Sequence, residues 1–248
     1  MSNKADLGEF IHLNSVDSTN RFLRELSKSR QLNNWTAVYA DYQTNGKGQR
    51  GNTWRSVSGK NLLCSVYYRP ISLNANQAFF INEWVSFSVA HMLESFGIKD
   101  VLIKWPNDIL IGRKKVCGIL VENTVAGGRI SETIIGIGIN ANDFPKDLNS
   151  TSLKNELGDS IEVKDILKNL VNQLSNDSLI FEKRKQVLSE LYLKKLYGYK
   201  NLVPLRDADS EWNGRVINIQ PSGKIQIEKN GEILDFDFKE IEWQGLTS

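Results

Sequence analysis

The sequence predicts an α+β fold with a small β-barrel at its C-terminal end, and three observations carry that prediction. Runs rich in β-branched residues alternate with short turn signals over residues 10–139. Helical apolar spacing takes over across 163–196, and five short strand-like runs with hairpin signals follow Tyr197-Gly198. The change of texture divides the chain into domains 1–197 and 198–248. At 248 residues and 40% hydrophobic composition, it is long and apolar enough to bury a real core.

Residues 10–13 read as a short strand, after which Asp17-Ser18-Thr19-Asn20 offers several N-caps for a helix through Phe22, Leu23 and Leu26. Residues 36–40 form a strand that feeds a glycine-rich run, and residues 62–68 form the strand that leaves it. Across 77–96 the spacing of Phe80, Trp84, Phe87, Val89 and Leu93 is helical, and Gly97 ends that helix. Strands follow at 101–105, 109–111, 116–122 and 133–139, separated by Pro106-Asn107-Asp108, by residues 112–115 and by Gly127-Gly128. The helical region then places Ile166, Leu167, Leu170, Val171 and Leu174, and later Phe181, Val187, Leu188, Leu191 and Leu196, on apolar faces. The last five strands are 203–205, 215–219, 224–228, 232–238 and 241–243, with Ser222-Gly223 and Asn230-Gly231 as hairpin turns. Leu234, Phe236 and Phe238 alternate with Asp235 and Asp237, which gives the barrel one buried and one wet face.

The glycine run, Asn45-Gly46-Lys47-Gly48-Gln49-Arg50-Gly51-Asn52-Thr53-Trp54, has the spacing of a dinucleotide-binding loop but not its context. Such a loop opens a helix and meets an acid about 20 residues on. Here a second strand follows instead, and no Asp or Glu occurs between Tyr42 and Asn82. What remains is a connection between two strands that carries Lys47, Arg50 and Arg55, with Lys60 and Arg69 nearby. Glycines admit a ligand close to backbone N–H groups, and cations that no local acid offsets favour an anion.

Bulk charge adds nothing to this, since 31 basic and 29 acidic residues leave a net charge of +2 and no general argument for nucleic acid or a membrane. The N-terminal stretch 1–9 is polar rather than a signal peptide, and no apolar run approaches the roughly 18 residues of a membrane span. The expected location is cytoplasmic. Cys64 and Cys117 lie in apolar strands and read as reduced, buried thiols, and His12 and His91 give no zinc spacing.

Polar clusters stand at the strand ends: Ser18-Thr19-Asn20, Gln43 with the glycine run, Lys104-Trp105-Pro106-Asn107-Asp108, Lys115-Val116-Cys117-Gly118-Ile119-Leu120-Val121-Glu122, and Gly136-Ile137-Gly138-Ile139-Asn140. Each has an ordinary alternative as a helix cap, a solvated lysine, a turn or close-packed strand glycines. Together, in this order and spacing, they resemble the biotin protein ligases, or biotin–[acetyl-CoA-carboxylase] ligases, over residues 10–243. The Lys-Trp-Pro-Asn-Asp run is the most specific of them.

That resemblance implies a mixed β-sheet flanked by helices, the biotin/lipoyl ligase catalytic fold, followed by an SH3-like barrel. It also implies a reaction in which biotin's carboxylate attacks the α-phosphate of ATP, giving biotinyl-5′-adenylate, and a lysine of a biotin carboxyl carrier domain then takes the biotinyl group. Two anions must meet in the first half, so cations have to offset a repulsion of roughly several kcal/mol. Lys115, Arg50 and Lys104 are the implied catalytic cations, with Lys47 beside them and Mg²⁺ as the metal. Ser18, Thr19, Asn20, Gln43 and the backbone at Gly118 are implied to hold the ureido ring. Gly46, Gly48, Gln49 and Gly51 are implied to close over the adenylate, and Asn140 to lie near the nucleotide. Trp54 is either the anchor of the closed loop or a core aromatic. Asn107 and Asp108 are the candidate Mg²⁺ ligands. No residue stands out as a base for the attacking lysine.

Family members commonly carry arginine where Lys47 and Gln49 stand, so this chain is expected to hold its adenylate differently. With the first catalytic strand near Phe10, no room is left for an N-terminal DNA-binding domain, and a monofunctional ligase is expected. A homodimer through a sheet edge is compatible with the sequence, which does not set the oligomeric state. Two rivals stay open: a lipoate ligase, which shares the catalytic fold, and a non-catalytic nucleotide- or nucleic-acid-binding module, which would bind in a strongly salt-dependent way.

Overall fold

The computed structural model describes residues 8–145 and 150–246, the Arg50 side chain excepted; most of the polar N-terminal stretch therefore lies outside the described residues. The elements run β1 (Phe10–Val16), α1 (Thr19–Ser29), β2 (Ala37–Gln43), β3 (Leu62–Tyr68), α2 (Phe79–Ser95), β4 (Val101–Lys104), β5 (Asp108–Ile111), β6 (Lys114–Ala126) and β7 (Arg129–Ile139). Then come α3 (Leu153–Leu157), α4 (Val163–Lys183), α5 (Lys185–Lys195), β8 (Val203–Arg206), β9 (Glu211–Ile219), β10 (Ile225–Lys229), β11 (Glu232–Phe236) and β12 (Glu242–Trp243).

The first seven strands make one mixed sheet in the order β1-β2-β3-β7-β6-β5-β4, in which β1 and β2 are parallel and the other pairs antiparallel. Its two faces serve different purposes because side chains alternate along each strand. Leu62, Cys64, Val66 and Tyr68 of β3 and Ile135, Ile137 and Ile139 of β7 point into the main core, under α2, α4 and α5. Helix α2 is apolar nearly all round and buried accordingly; its Trp84 stacks on Phe181 of α4 at 4.9 Å. Truncating such an aromatic costs about 3–5 kcal/mol. The opposite face carries α1, which packs Leu23 on Val38, Tyr67 and Ile134.

The helical region 163–196 forms two helices, which part where Arg184 leaves helical geometry at φ −144° and ψ 55°. The short α3 departs from the sequence expectation and is closed by Gly158 at φ 86°. The five C-terminal strands form an antiparallel sheet in the order β11-β10-β9-β8-β12. No ladder joins β11 to β12 among the described residues. Asn230 and Gly231 both adopt positive φ, as the predicted hairpin turn requires.

Candidate functional site

A cleft of about 880 Å³ opens on the α1 face of the large sheet, with the C-terminal sheet forming its other wall. Alternation explains its floor. On β7 the isoleucines of Gly136-Ile137-Gly138-Ile139 turn to the core, which leaves the glycines facing the cleft. Gly118 of β6 is paired with Gly138 in register. Over this floor the glycine loop folds back as a hairpin-like turn: Gly48 N–H donates to Asn52 O at 2.7 Å, and Trp54 N–H to Gly46 O at 3.0 Å. The turn brings the Trp54 indole down onto the two glycines. A β-carbon at Gly118 would stand 2.8 Å from Trp54 Cζ3. Trp54 Nε1 is buried with no hydrogen-bond partner among the described residues, a donor that a ligand acceptor would satisfy.

One end of the cleft is neutral and polar. Ser18, Thr19 and Asn20 at the start of α1 are all buried there, beside Gln43 at the end of β2. Ser18 precedes the helix but makes no side-chain cap bond. Its hydroxyl is not spent on the helix, so the capping alternative fails at that residue. Thr19 is tied to Gln43 Oε1 through its backbone N–H at 2.8 Å.

The other end is cationic. Lys104 and Asp108 face each other across β4 and β5, and Asp108 in turn pairs with Gly118 across β5 and β6. A β-bulge at the β5–β6 ladder keeps Val116 in the core and turns Lys115 onto the cleft side with Gly118. Lys115 Nζ lies 2.7 Å from Asp108 Oδ1 and 5.6 Å from the Trp54 ring centroid. Burial lowers the Lys104 ammonium below its ordinary pKa, with Asp108 opposing the shift and Lys115 adding to it. Among the described lining residues, Lys47, Lys104, Lys115 and Lys239 outweigh Asp108 and Glu242, so the cleft favours an anion.

Most of the expected site residues meet here: Ser18, Thr19, Asn20, Gln43, Lys47, Gly48, Gln49, Trp54, Lys104, Asn107, Asp108, Lys115 and Gly118 all line the cleft. Gly46 lies just behind, its own β-carbon position 2.8 Å from Trp54 O, and Gly51 takes the positive φ of 88° that closes the turn. The Arg50 side chain lies outside the described residues. Asn140 is not among the lining residues; its amide nitrogen donates to Thr151 O at 3.1 Å and its backbone carbonyl accepts from Leu153 N–H, tying the end of β7 to α3. Its observed contacts are thus structural.

For a metal, the donor set is thin. Among the described residues no group of three His, Cys, Asp or Glu side chains converges. Asn107 donates its amide to Ile119 O, which leaves its amide oxygen and the Asp108 carboxylate. That pair suits a Mg²⁺ carried in on nucleotide phosphates, not a site built by protein alone. Burial raises both thiols, Cys64 and Cys117, above their ordinary pKa, which leaves them inert.

The far wall was not expected from the sequence. Phe238, Lys239, Ile241 and residues 242–246 line the cleft from the C-terminal sheet. Trp105 fastens that sheet in place: its ring stacks on Phe238 at 4.9 Å and its Nε1–H donates to Gly223 O at 3.1 Å. No local pattern announces contacts between residues so distant in the chain.

The family model described as the Biotin/lipoate A/B protein ligase family matches residues 13–140. Bifunctional ligase/repressor BirA of Bacillus subtilis is 30% identical over 247 residues, covering 94% of this chain and 73% of that protein. BirA of Salmonella typhimurium is 36% identical over 135 residues, covering 54% of this chain and 41% of its own length. The solved structure of biotin protein ligase from Aquifex aeolicus in complex with biotin and ATP superimposes with a TM-score of 0.74 at 25% identity, covering 94% of this chain and 97% of that one. No helix among the described residues is long and apolar enough to cross a membrane.

Proposed function

The chain belongs to the biotin/lipoate A/B protein ligase family, and on that footing we propose that it is a biotin protein ligase which activates biotin with ATP and transfers it to a lysine of a biotin carboxyl carrier domain. One observation carries the choice of substrate: a single cleft joins a neutral hydrogen-bonding end, an apolar glycine-and-indole waist and a cationic end. A bicyclic urea with an apolar chain and a terminal carboxylate has the same three parts in the same order.

In the first step the biotin carboxylate oxygen bonds to the α-phosphorus of ATP, and the bond from that phosphorus to the bridging oxygen breaks, releasing pyrophosphate. Ser18, Thr19 and Gln43 hold the ureido ring, and the bicycle packs beside the Trp54 indole, which itself fills the space over Gly118 and Gly138. Lys115 meets the carboxylate, while Lys104 and Lys47 lower the cost of bringing phosphate beside it. Mg²⁺ carried on the nucleotide would take Asp108 and the Asn107 amide oxygen, and supplies charge neutralisation when bound. The partly desolvated Lys104 ammonium sits where water is scarce, so its charge acts on phosphate with little screening. In the second step the carrier lysine's amine attacks the acyl carbon and AMP leaves. The Gly46–Trp54 turn and the C-terminal sheet shield the adenylate from water in the interval. We place the catalytic domain at 1–197 and the C-terminal domain at 198–248, and the enzyme in the cytoplasm with its acceptor carboxylase.

The test is direct. Incubated with ATP, Mg²⁺, a carrier domain and either biotin or lipoate, the chain is expected to add mass to the carrier only with biotin. Transfer of lipoate alone, or of neither, would overturn the reading.

A further inference from the structure

Behind the neutral end of the cleft runs a chain of oxygens with one proton too few. Gln43 Oε1, already accepting the Thr19 backbone N–H, lies 3.1 Å from Thr19 Oγ1. Thr19 Oγ1 is 2.8 Å from Ser65 Oγ, and Ser65 Oγ is 2.5 Å from Asn20 Oδ1. The Thr19 and Ser65 hydroxyls bring one proton each, yet three oxygen–oxygen contacts need one.

Glu122 sets this deficit. Its Oε2 accepts from Asn20 Nδ2 at 2.7 Å and is held by Arg24 Nη2 at 3.0 Å, while Asn20 Nδ2 also faces Leu120 O at 3.4 Å. A carboxylate only accepts, so Asn20 must turn its nitrogen toward Glu122 and its oxygen toward Ser65. The short Ser65–Asn20 contact claims the Ser65 proton. Thr19 can then serve Ser65 or Gln43, but not both. The arrangement depends on Gly136, where a β-carbon would stand 2.3 Å from Asn20 Oδ1.

We infer that Ser65 and Glu122 are positioning residues that make the neutral end of the cleft acceptor-rich, and so select a ligand that brings N–H donors to Thr19 and Gln43. Neither lines the cleft; each acts through Asn20 and Thr19. The inference rests on the biotin reading above, because a cyclic urea carries two ring N–H groups and can supply the missing proton. An unpaired acceptor in a buried network is costly, which is why the donor-bearing ligand gains.

The experiment is calorimetric titration of the full chain with biotin, alongside steady-state kinetics for ATP. Glu122→Gln keeps size but lets Asn20 turn its nitrogen to Ser65, so the protein itself supplies the proton. Its biotin Kd is expected to rise about tenfold or more, with the ATP KM held within about twofold. Ser65→Ala should act in the same direction. Asn20→Asp alone sets two carboxylates face to face and should also weaken biotin. Combined with Glu122→Gln it restores an oxygen toward Ser65, and the double variant should return to within about threefold of wild type, a rescue that mere packing does not predict. A Glu122→Gln chain that binds biotin as well as wild type, equal losses for biotin and ATP, or no rescue would each overturn the inference alone. A wild-type chain that does not bind biotin would overturn the substrate reading and this inference with it.

Discussion

The indole of Trp54 rests on Gly138, where a β-carbon would stand 2.5 Å from Trp54 Cε2. Gly138 has no positive φ to protect, so its requirement is purely one of space. Gly138→Ala should therefore fold normally while lifting the ring and the turn that carries it. The biotin KM is expected to rise about tenfold or more, with thermal stability changed by no more than about 1 kcal/mol. Steady-state kinetics with a melting curve would check this, and an unchanged KM would show that the floor tolerates a methyl group.

Lys115 pairs with Asp108 at 2.7 Å and stands 5.6 Å from the centroid of the Trp54 ring. Lys115→Ala should cut biotin-dependent ATP–pyrophosphate exchange by about 10²–10³ while the far-ultraviolet dichroism spectrum stays that of wild type. Near-normal exchange would remove Lys115 from the chemistry.

Gln49 lines the cleft in a short 3-10 turn, at a position where the family resemblance leads one to expect arginine. A neutral amide gives up the charged, forked contact to phosphate that arginine makes. Gln49→Arg should slow release of biotinyl-adenylate from the enzyme, measured by trapping free adenylate over time. Equal release rates for the two proteins would count against any role of Gln49 in retention.

Away from the cleft, Glu83 of α2 is buried and accepts a hydrogen bond from Ser189 of α5. Burial raises its pKa from 4.5 to about 7, against the smaller opposing effect of Ser189. The folded state thus binds the proton more tightly than the unfolded one. The resulting stability is fully present below pH 4.5 and is lost as pH rises to about 7. The loss approaches roughly 3 kcal/mol at most. Glu83→Gln should flatten the fall in denaturant midpoint between those limits; a fall of the same size would point to other groups.

Much of the fold was legible because strands and turns announce themselves locally. Residues 62–68 read as a strand and form one, and Gly97 ends α2 at φ 86° as expected. All five polar clusters contribute residues to the cleft. Within the last cluster Asn140 is not among the lining residues: a strand-end asparagine looks the same whether it faces a ligand or, as here, ties to Thr151. The alternation in Gly-Ile-Gly-Ile was in plain view, and it correctly separates a floor from a core. Lys115 was identified by its motif, but regular alternation puts it on the wrong side of β6, and only the bulge before Cys117 brings it to the cleft.

The sequence by itself determined which segments are strands and helices, which glycines leave room, and the family whose motifs these are, because those depend on neighbours within a few residues. Tertiary structure alone decided that Trp54 covers Gly138, that the C-terminal sheet walls the cleft through Trp105 and Phe238, and that Glu122 of β6 holds Asn20 of α1. Those contacts join residues far apart in the chain, and no local propensity encodes them. Each exists because a buried ring needs a surface to cover it and a buried amide needs a partner, and the packed sheet is what supplies both.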